Sequence, residues 1–491
     1  MTKHTFISYI VLLGLFLFTA CEDRELEEIN INPNQPETVG ADLILPGVIR
    51  DAVNTVVNES FLAGTVIAQH TAKSLRVEID KYDWGPLPDT WFGLYNVLRD
   101  VENIRQIGVE TGNANYEAIA LIWKSWIFSI LTDTYEDIPY SQAIEAKSDN
   151  NFFPTYDSQQ DIYTGPEGLL ANLERANQLL DPNGPLIGGD ILFNGDIELW
   201  KRFGNSLRLR LLMRISDKID VNAQMQQIID NEMIMEGNAH NAALGYLNVS
   251  PNRFPLITIK AGDFAAVNIS KTLTDKLLEL NDPRLMEFAR PTSSTIGTDN
   301  PQYVGLENGD LNAKSQGEKS LLGFRYFQNN PTDKEPEGLI MTYSELNFIL
   351  AEAVEKGMVS APRTVEDYYR EGIRSSMEYY EVEWENVTVD EFETYYDQQS
   401  VDLGSATDRL AKIAEQKWIS LFFVGMEAFF DFKRTGLPAL EPPQGNTNQD
   451  QIPNRFLYPG EEQSLNQQNY QAAAAAIGGD NINSASWWKL P

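Results

Sequence analysis

The sequence predicts an all-α fold: a helical scaffold in two halves with a loop-rich lobe inserted between them. Three observations carry this reading. From Ala41 onward the dominant apolar period is helical, clearest in Ile119, Ile122/Trp123, Trp126/Ile127 and Ile130/Leu131, a stripe over three turns. Between about Met235 and Gly338 the pattern changes, with Gly, Pro, Asn, Asp and Ser every few residues. Finally, 491 residues that are 42 % apolar and 11 % aromatic can bury a large core, which excludes wholesale disorder.

Taken in order, Lys3 and His4 precede a mainly apolar run from Ile7 to Phe18, followed by Thr19-Ala20-Cys21. A short basic start, an apolar stretch and small residues before a cut predict a secretory leader over residues 1–20. The run is too short for a membrane-spanning helix, which needs ~20 residues. Glu22, Asp23, Glu25, Glu27 and Glu28 then lead into the Pro/Asn-rich Asn30–Pro36, read as a solvated acidic tether over 21–40. Residues 41–491 are expected to form one domain, its scaffold spanning about 41–234 and 339–491 and its lobe about 235–338.

Within that domain, helical patterning covers Ala41–Val57, Phe61–Leu75, Trp91–Ile107, Gln159–Leu180, Asp196–Asp217, Thr342–Lys356, Val365–Tyr380, Ala406–Arg434 and Gln467–Ile477. In the lobe only Lys271–Leu280 keeps the pattern. Gly357 and Gly436-Leu437-Pro438 are helix stops of the expected kind. Trp418–Phe432 is apolar nearly all round and is expected to be a central buried helix. Its Glu427 and Asp431 read as satisfied structural carboxylates, with Arg434 or Thr435 one turn beyond Asp431.

Charge and rare residues remove whole classes of function. With 71 acidic against 38 basic side chains the net charge is −33, which repels phosphate backbones and anionic lipid and argues against nucleic-acid binding. The single cysteine, Cys21, allows no intramolecular disulfide and no CxxC site. Apart from His4 in the leader, a histidine-based hydrolase would have only His70 and His240 to use. Ile187-Gly188-Gly189-Asp190 lacks both GxGxxG and a P-loop lysine. Neither Thr298-Asp299-Asn300 nor Asn308-Gly309-Asp310 extends into a calcium loop, so no cofactor is expected and a structural calcium is the one metal left open.

Five segments, in order, resemble the SusD/RagB family and, more narrowly, its SusD-like nutrient-binding lipoproteins. They are Thr132-Asp133 to Ser141; Gly189-Asp190-Ile191 through Trp200-Lys201-Arg202-Phe203-Gly204-Asn205-Ser206-Leu207-Arg208-Leu209-Arg210; Tyr343-Ser344-Glu345-Leu346 to Ala351-Glu352-Ala353; Glu415-Gln416-Lys417-Trp418 through Gly425-Met426-Glu427-Ala428 to Arg434-Thr435-Gly436; and Pro453-Asn454-Arg455 through Tyr458-Pro459 to Trp487-Trp488. Read as residues, they are mostly architectural: Trp200, Phe203, Leu207 and Leu211 share a helix face, while Arg208 and Arg210 turn toward acidic neighbours. Phe18-Thr19-Ala20-Cys21 in turn resembles a lipobox, with Phe18 where leucine is usual, and the following acidic run resembles the surface-export signal of Bacteroidota lipoproteins.

The resemblance implies tetratricopeptide-like helix pairs carrying a loop-rich face, and an outer-membrane lipoprotein acylated at Cys21 and facing the cell exterior. It implies a protein without catalytic residues that captures an oligosaccharide and delivers it to a SusC-like TonB-dependent transporter. Two other readings stay open, a peptide-capture lipoprotein on the same fold and an all-helical glycoside hydrolase with two carboxylates flanking the bond.

A sugar site needs aromatic faces beside planar polar side chains on loops. Lys81-Tyr82-Asp83-Trp84-Gly85-Pro86-Leu87-Pro88 fits best, because its prolines and glycine end any helix, so Tyr82, Asp83 and Trp84 are candidates. Trp84 has a second possible role, a plug over the core. Trp91 resembles a packing residue of the family. Tyr303, Arg325 and Tyr326 in the lobe, with Phe324 and Phe327 alongside, and Arg374 and Tyr395 beyond it, complete the ligand-binding candidates.

Overall fold

Helices pair in sequence. In the computed structural model, which describes residues 39–146, 149–247, 249–310, 317–327, 336–382 and 389–489, α1 (Ala41–Glu59) packs on α2 (Pro88–Thr111) and α2 on α3 (Ala114–Tyr135). After the short α4 (Gln159–Thr164), α3 also packs on α5 (Leu169–Leu179), and α5 on α6 (Ile197–Ile215). This is the stacked helix-pair arrangement expected of the scaffold. Past α7 (Asn222–Asn231) and the lobe, α10 (Tyr343–Glu355) and α11 (Val365–Tyr379) make a second antiparallel pair. Against it lies α13 (Arg409–Ser420), followed by α14 (Glu427–Thr435). The leader, Cys21 and the tether as far as residue 38 lie outside the described residues. Among those described, no helix is long and apolar enough to cross a membrane.

Local chemistry explains the helix limits. Asp196 caps α6, its carboxylate accepting from the amides of Glu198 and Leu199 at 2.9 and 3.2 Å. Thr364 and Asp367 form a reciprocal capping box on α11. Gly436 closes α14 at φ 68°, a left-handed position that glycine adopts at no steric cost. Gly372 lets α11 approach α10, because a Cβ there would stand 2.8 Å from the Phe348 ring.

Two small antiparallel ladders join the lobe to the scaffold segments that flank it. In one, β1 (Thr71–Lys73) pairs with β3 (Val267–Ile269), Thr71 opposite Ile269. In the other, β2 (Ala242–Gly245) pairs with β4 (Glu337–Met341). After β3 the chain forms α8 (Lys271–Glu279) and α9 (Arg284–Phe288).

Three predicted helices are corrected. Phe61–Leu75 is a π-helical turn over Ser60–Gly64 and a short helix to Ile67, and then strand β1, because Thr71–Lys73 finds a partner strand some 200 residues away. Gln159–Leu180 is broken at Gly165-Pro166 into α4 and α5. Trp418–Phe432 is no continuous helix, since the chain turns through Phe423 and Gly425 at φ 63° and 55° between α13 and α14. A stretch buried on every side has no polar face to reveal the break.

The core is crossed by ion pairs rather than being purely apolar. Arg434 grips Glu352 with two bonds of 2.6 Å and reaches Asp431, which Lys417 also contacts at 2.8 Å. Thr435 donates to the Asp431 carbonyl at 2.9 Å. Arg210 pairs with Glu345, Arg214 with Glu427, and Arg208 with Glu174. Burying such charges is tolerable because each is paired and hydrogen-bonded. Glu427 and Asp431 are therefore satisfied structural carboxylates, as the sequence predicts.

Candidate functional site

The structure distributes the eight predicted ligand residues over three places. Tyr82 and Trp84 stand beside the loop that precedes α2. Trp84 is only 4 % exposed. Its indole lies flat on Phe456 and edge-on to Phe429, and its N–H donates to the Ile79 carbonyl at 2.9 Å. Tyr82 is buried edge-on against Trp84, while Asp83 between them is exposed. Of the two roles the sequence leaves open for Trp84, these surroundings describe the plug over the core. Trp91 is buried as well, against Tyr95 and Tyr135.

In the lobe, Tyr326 is buried and stacked on Phe423 at 4.6 Å. Arg325 is also buried, donating to the Tyr380 carbonyl at 3.2 Å with its guanidinium over the Tyr380 ring. Tyr303 is half-buried, and burial raises its phenol pKa. The third place is α11 with α12 (Val389–Tyr396). Tyr395 is buried there and donates to Asp282 at 2.6 Å. Arg374 is half-exposed, lying over Phe392 at 4.4 Å and 3.4 Å from Glu393. Five of the eight thus support the fold from inside. Asp83, Tyr303 and Arg374 reach the surface.

In the lobe, Phe324 and Phe327 gather around a residue that sequence reasoning missed, Arg290. The Arg290 guanidinium stands over three rings, Phe327 at 4.5 Å, Phe324 at 5.5 Å and Phe264 at 6.0 Å. Its Nε donates to the Leu322 carbonyl at 2.8 Å, but its Nη2 has no hydrogen-bond partner among the described residues. Arg290, Phe324 and Phe327 are all half-buried. Backbone bonds from Arg290 to Leu321 and from Thr292 to Gln302 hold this cluster beside the Tyr303 segment. The missed signal is the Ala289-Arg290-Pro291 step, a cation on a loop whose aromatic neighbours lie far off in sequence. Half-buried rings around a guanidinium can stack on an apolar ligand face, the unpaired Nη2 itself being enclosed.

Nothing in this arrangement calls for a metal. Among the described residues no three His, Cys, Asp or Glu side chains are grouped to hold one.

Comparison with known proteins agrees with the fold. The family described as starch-binding and associating with the outer membrane, of the SusD-like type, matches residues 33–459. A SusD homologue from Bacteroides fragilis is 27 % identical, with a TM-score of 0.79 over 92 % of this chain and 99 % of that one. A Bacteroides vulgatus protein assigned to the outer membrane and to nutrient binding is 26 % identical, with a TM-score of 0.80 over 92 % and 100 %. A chitin-binding protein is 26 % identical, with a TM-score of 0.76 over 92 % and 99 %. A comparison with curated proteins found no match.

Proposed function

The chain belongs to the SusD-like family, whose members are non-catalytic nutrient-binding proteins associated with the outer membrane, and on that premise we propose that it captures a neutral oligosaccharide at the cell surface. The observation that carries the proposal is the family match over residues 33–459, to which the lobe adds a surface of suitable chemistry. Tyr303, Phe324 and Phe327 offer rings to a sugar face beside the Arg290 guanidinium, while Asp83 and Arg374 reach the surface at separate places. Tyr82, Trp84, Arg325, Tyr326 and Tyr395 hold the frame from beneath. In this reading residues 41–491 act as one domain, the scaffold of about 41–234 and 339–491 presenting the lobe of about 235–338.

The anchor is acylated Cys21, the acidic tether spaces the domain from the membrane, and the captured glycan passes to a SusC-like TonB-dependent transporter. Family membership supports these three points, and co-purification with a large outer-membrane barrel tests the last. Calorimetry with α-glucan and N-acetylglucosamine oligomers tests the first, since the family is described as starch-binding and one relative binds chitin. Saturable binding without release of reducing ends is expected. Tight binding of peptides alone would replace the sugar with the peptide-capture reading.

A further inference from the structure

A second groove, on the scaffold and away from the lobe, is lined by α2, α3, α5 and the loop after Tyr140. Its volume is about 610 Å³, within the ~300–1,000 Å³ of small-molecule sites. Three cations line it, and they differ in their partners. Arg105 is held by Glu102 through bonds of 2.8 and 2.7 Å, and Arg175 by Glu117 at 2.7 Å. Lys124, on α3, has no hydrogen-bond or ion-pair partner among the described residues. Its ammonium stands 5.0 Å from the centre of the Tyr140 ring. Burial lowers its pKa, with Arg105 adding to the effect and Glu102 and Glu167 opposing it.

A ring face attracts an ammonium but takes none of its three donors in a conventional hydrogen bond. Tyr140 cannot offer its hydroxyl as a ready substitute, because that group donates to the Glu167 carbonyl and accepts from Asn172 at 3.0 Å. The position is a partly desolvated cation in a ligand-sized groove, lacking an acceptor. Among the described residues of the lining, five acidic side chains stand against three basic, and they set the charge of what can enter. A phosphate, a sulfate or a polyanion would meet repulsion, whereas one carboxylate on an otherwise neutral or cationic body would not.

We propose that this groove is a second binding site, taking a small molecule that bears a single carboxylate, with Lys124 as the group that holds the carboxylate. That carboxylate could be carried by an acidic sugar or by the C-terminus of a short peptide, and the chemistry at Lys124 is the same for both. The site is independent of the lobe and of the neutral glycan assigned there.

Calorimetry of the purified protein with sodium glucuronate and, separately, with glycylglycine tests the assignment. Binding of either is expected, and the ligand that binds identifies the source of the carboxylate. Lys124→Met should weaken it by about tenfold or more, the scale of one charge-assisted hydrogen bond. Lys124→Arg should retain most of it. Without ligand, Lys124→Met should melt no lower than the parent protein, because the lost charge satisfied nothing, and this separates loss of the site from loss of the fold. Neutral-oligosaccharide binding at the lobe should be untouched by Lys124→Met, so the two assignments fail separately. Failure of both carboxylates to bind, or equal affinity in Lys124→Met, would overturn the proposal.

Discussion

Trp84 lies flat on Phe456, with ring centroids 4.4 Å apart and planes 8° from parallel. The contact joins the loop before α2 to a segment more than 370 residues later, and the indole N–H is already spent on Ile79. Trp84→Ala should therefore cost about 3–5 kcal/mol of stability, the range for truncating a buried large aromatic. Chemical denaturation measures the loss, and glycan titration of the folded fraction should give nearly the parent affinity.

The α10–α11 contact depends on a missing side chain. With the Phe348 ring 2.8 Å from where a Cβ would stand, Gly372→Ala should destabilise by roughly 1–3 kcal/mol, the usual cost of overpacking. Thermal melting reads this, and Gly372→Ala combined with Phe348→Leu should recover part of it.

Three buried carboxyls set a slope of stability with pH. Burial pushes Glu59, Asp80 and Glu136 each up to about 7. Each has one oxygen bonded, to Thr90, Asn308 and Ser486 respectively, and one without a partner among the described residues. The folded chain therefore keeps protons that the unfolded chain releases near pH ~4, and stability falls as pH rises from ~4 through ~7. At the acid end the Arg434 guanidinium holds Glu352 at about 2, and Lys417 with Arg434 holds Asp431 well below the usual carboxylate range. That part of the stability is present above pH ~4 and is lost as pH falls toward 2. The melting temperature should peak near pH ~4 and decline toward 8, and Glu59→Gln with Asp80→Asn and Glu136→Gln should flatten the decline.

At the lobe, Phe327→Ala and Arg290→Ala should each reduce affinity for a neutral oligosaccharide by about tenfold, the scale of one stacking or charge-assisted contact. Tyr303→Ala should act in the same direction. Calorimetry on variants with unchanged circular dichroism checks all three.

Cys21→Ser should release the protein from the membrane fraction and abolish acyl labelling. A variant that stays membrane-bound and labelled would place the anchor elsewhere.

Much of the scaffold is legible in the sequence because a half-exposed helix records its own orientation. The stripe through Ile119, Trp123, Trp126 and Ile130 and the Thr364–Asp367 capping box are examples. Legibility fails where structure depends on distant partners. Thr71–Lys73 becomes a strand only beside Val267–Ile269, and Trp418–Phe432 is too uniformly apolar to show its turn. The candidate site is less legible still. A loop tryptophan looks the same in sequence whether it plugs a core or faces a ligand, and nothing near Arg290 in sequence announces the rings of Phe264 and Phe327.

Lys433 has all three of its ammonium donors filled from far along the chain: the Asp133 carbonyl at 2.8 Å, the Asn454 carbonyl at 2.8 Å and the Ser486 hydroxyl at 2.9 Å. Asp133 itself receives the Trp488 indole at 3.1 Å. The consequence is one of timing. During synthesis the end of α3 waits, half-dressed, for a segment that leaves the ribosome some 350 residues later, and the scaffold cannot lock until then. A chain built this way completes its core only when its far end has been made.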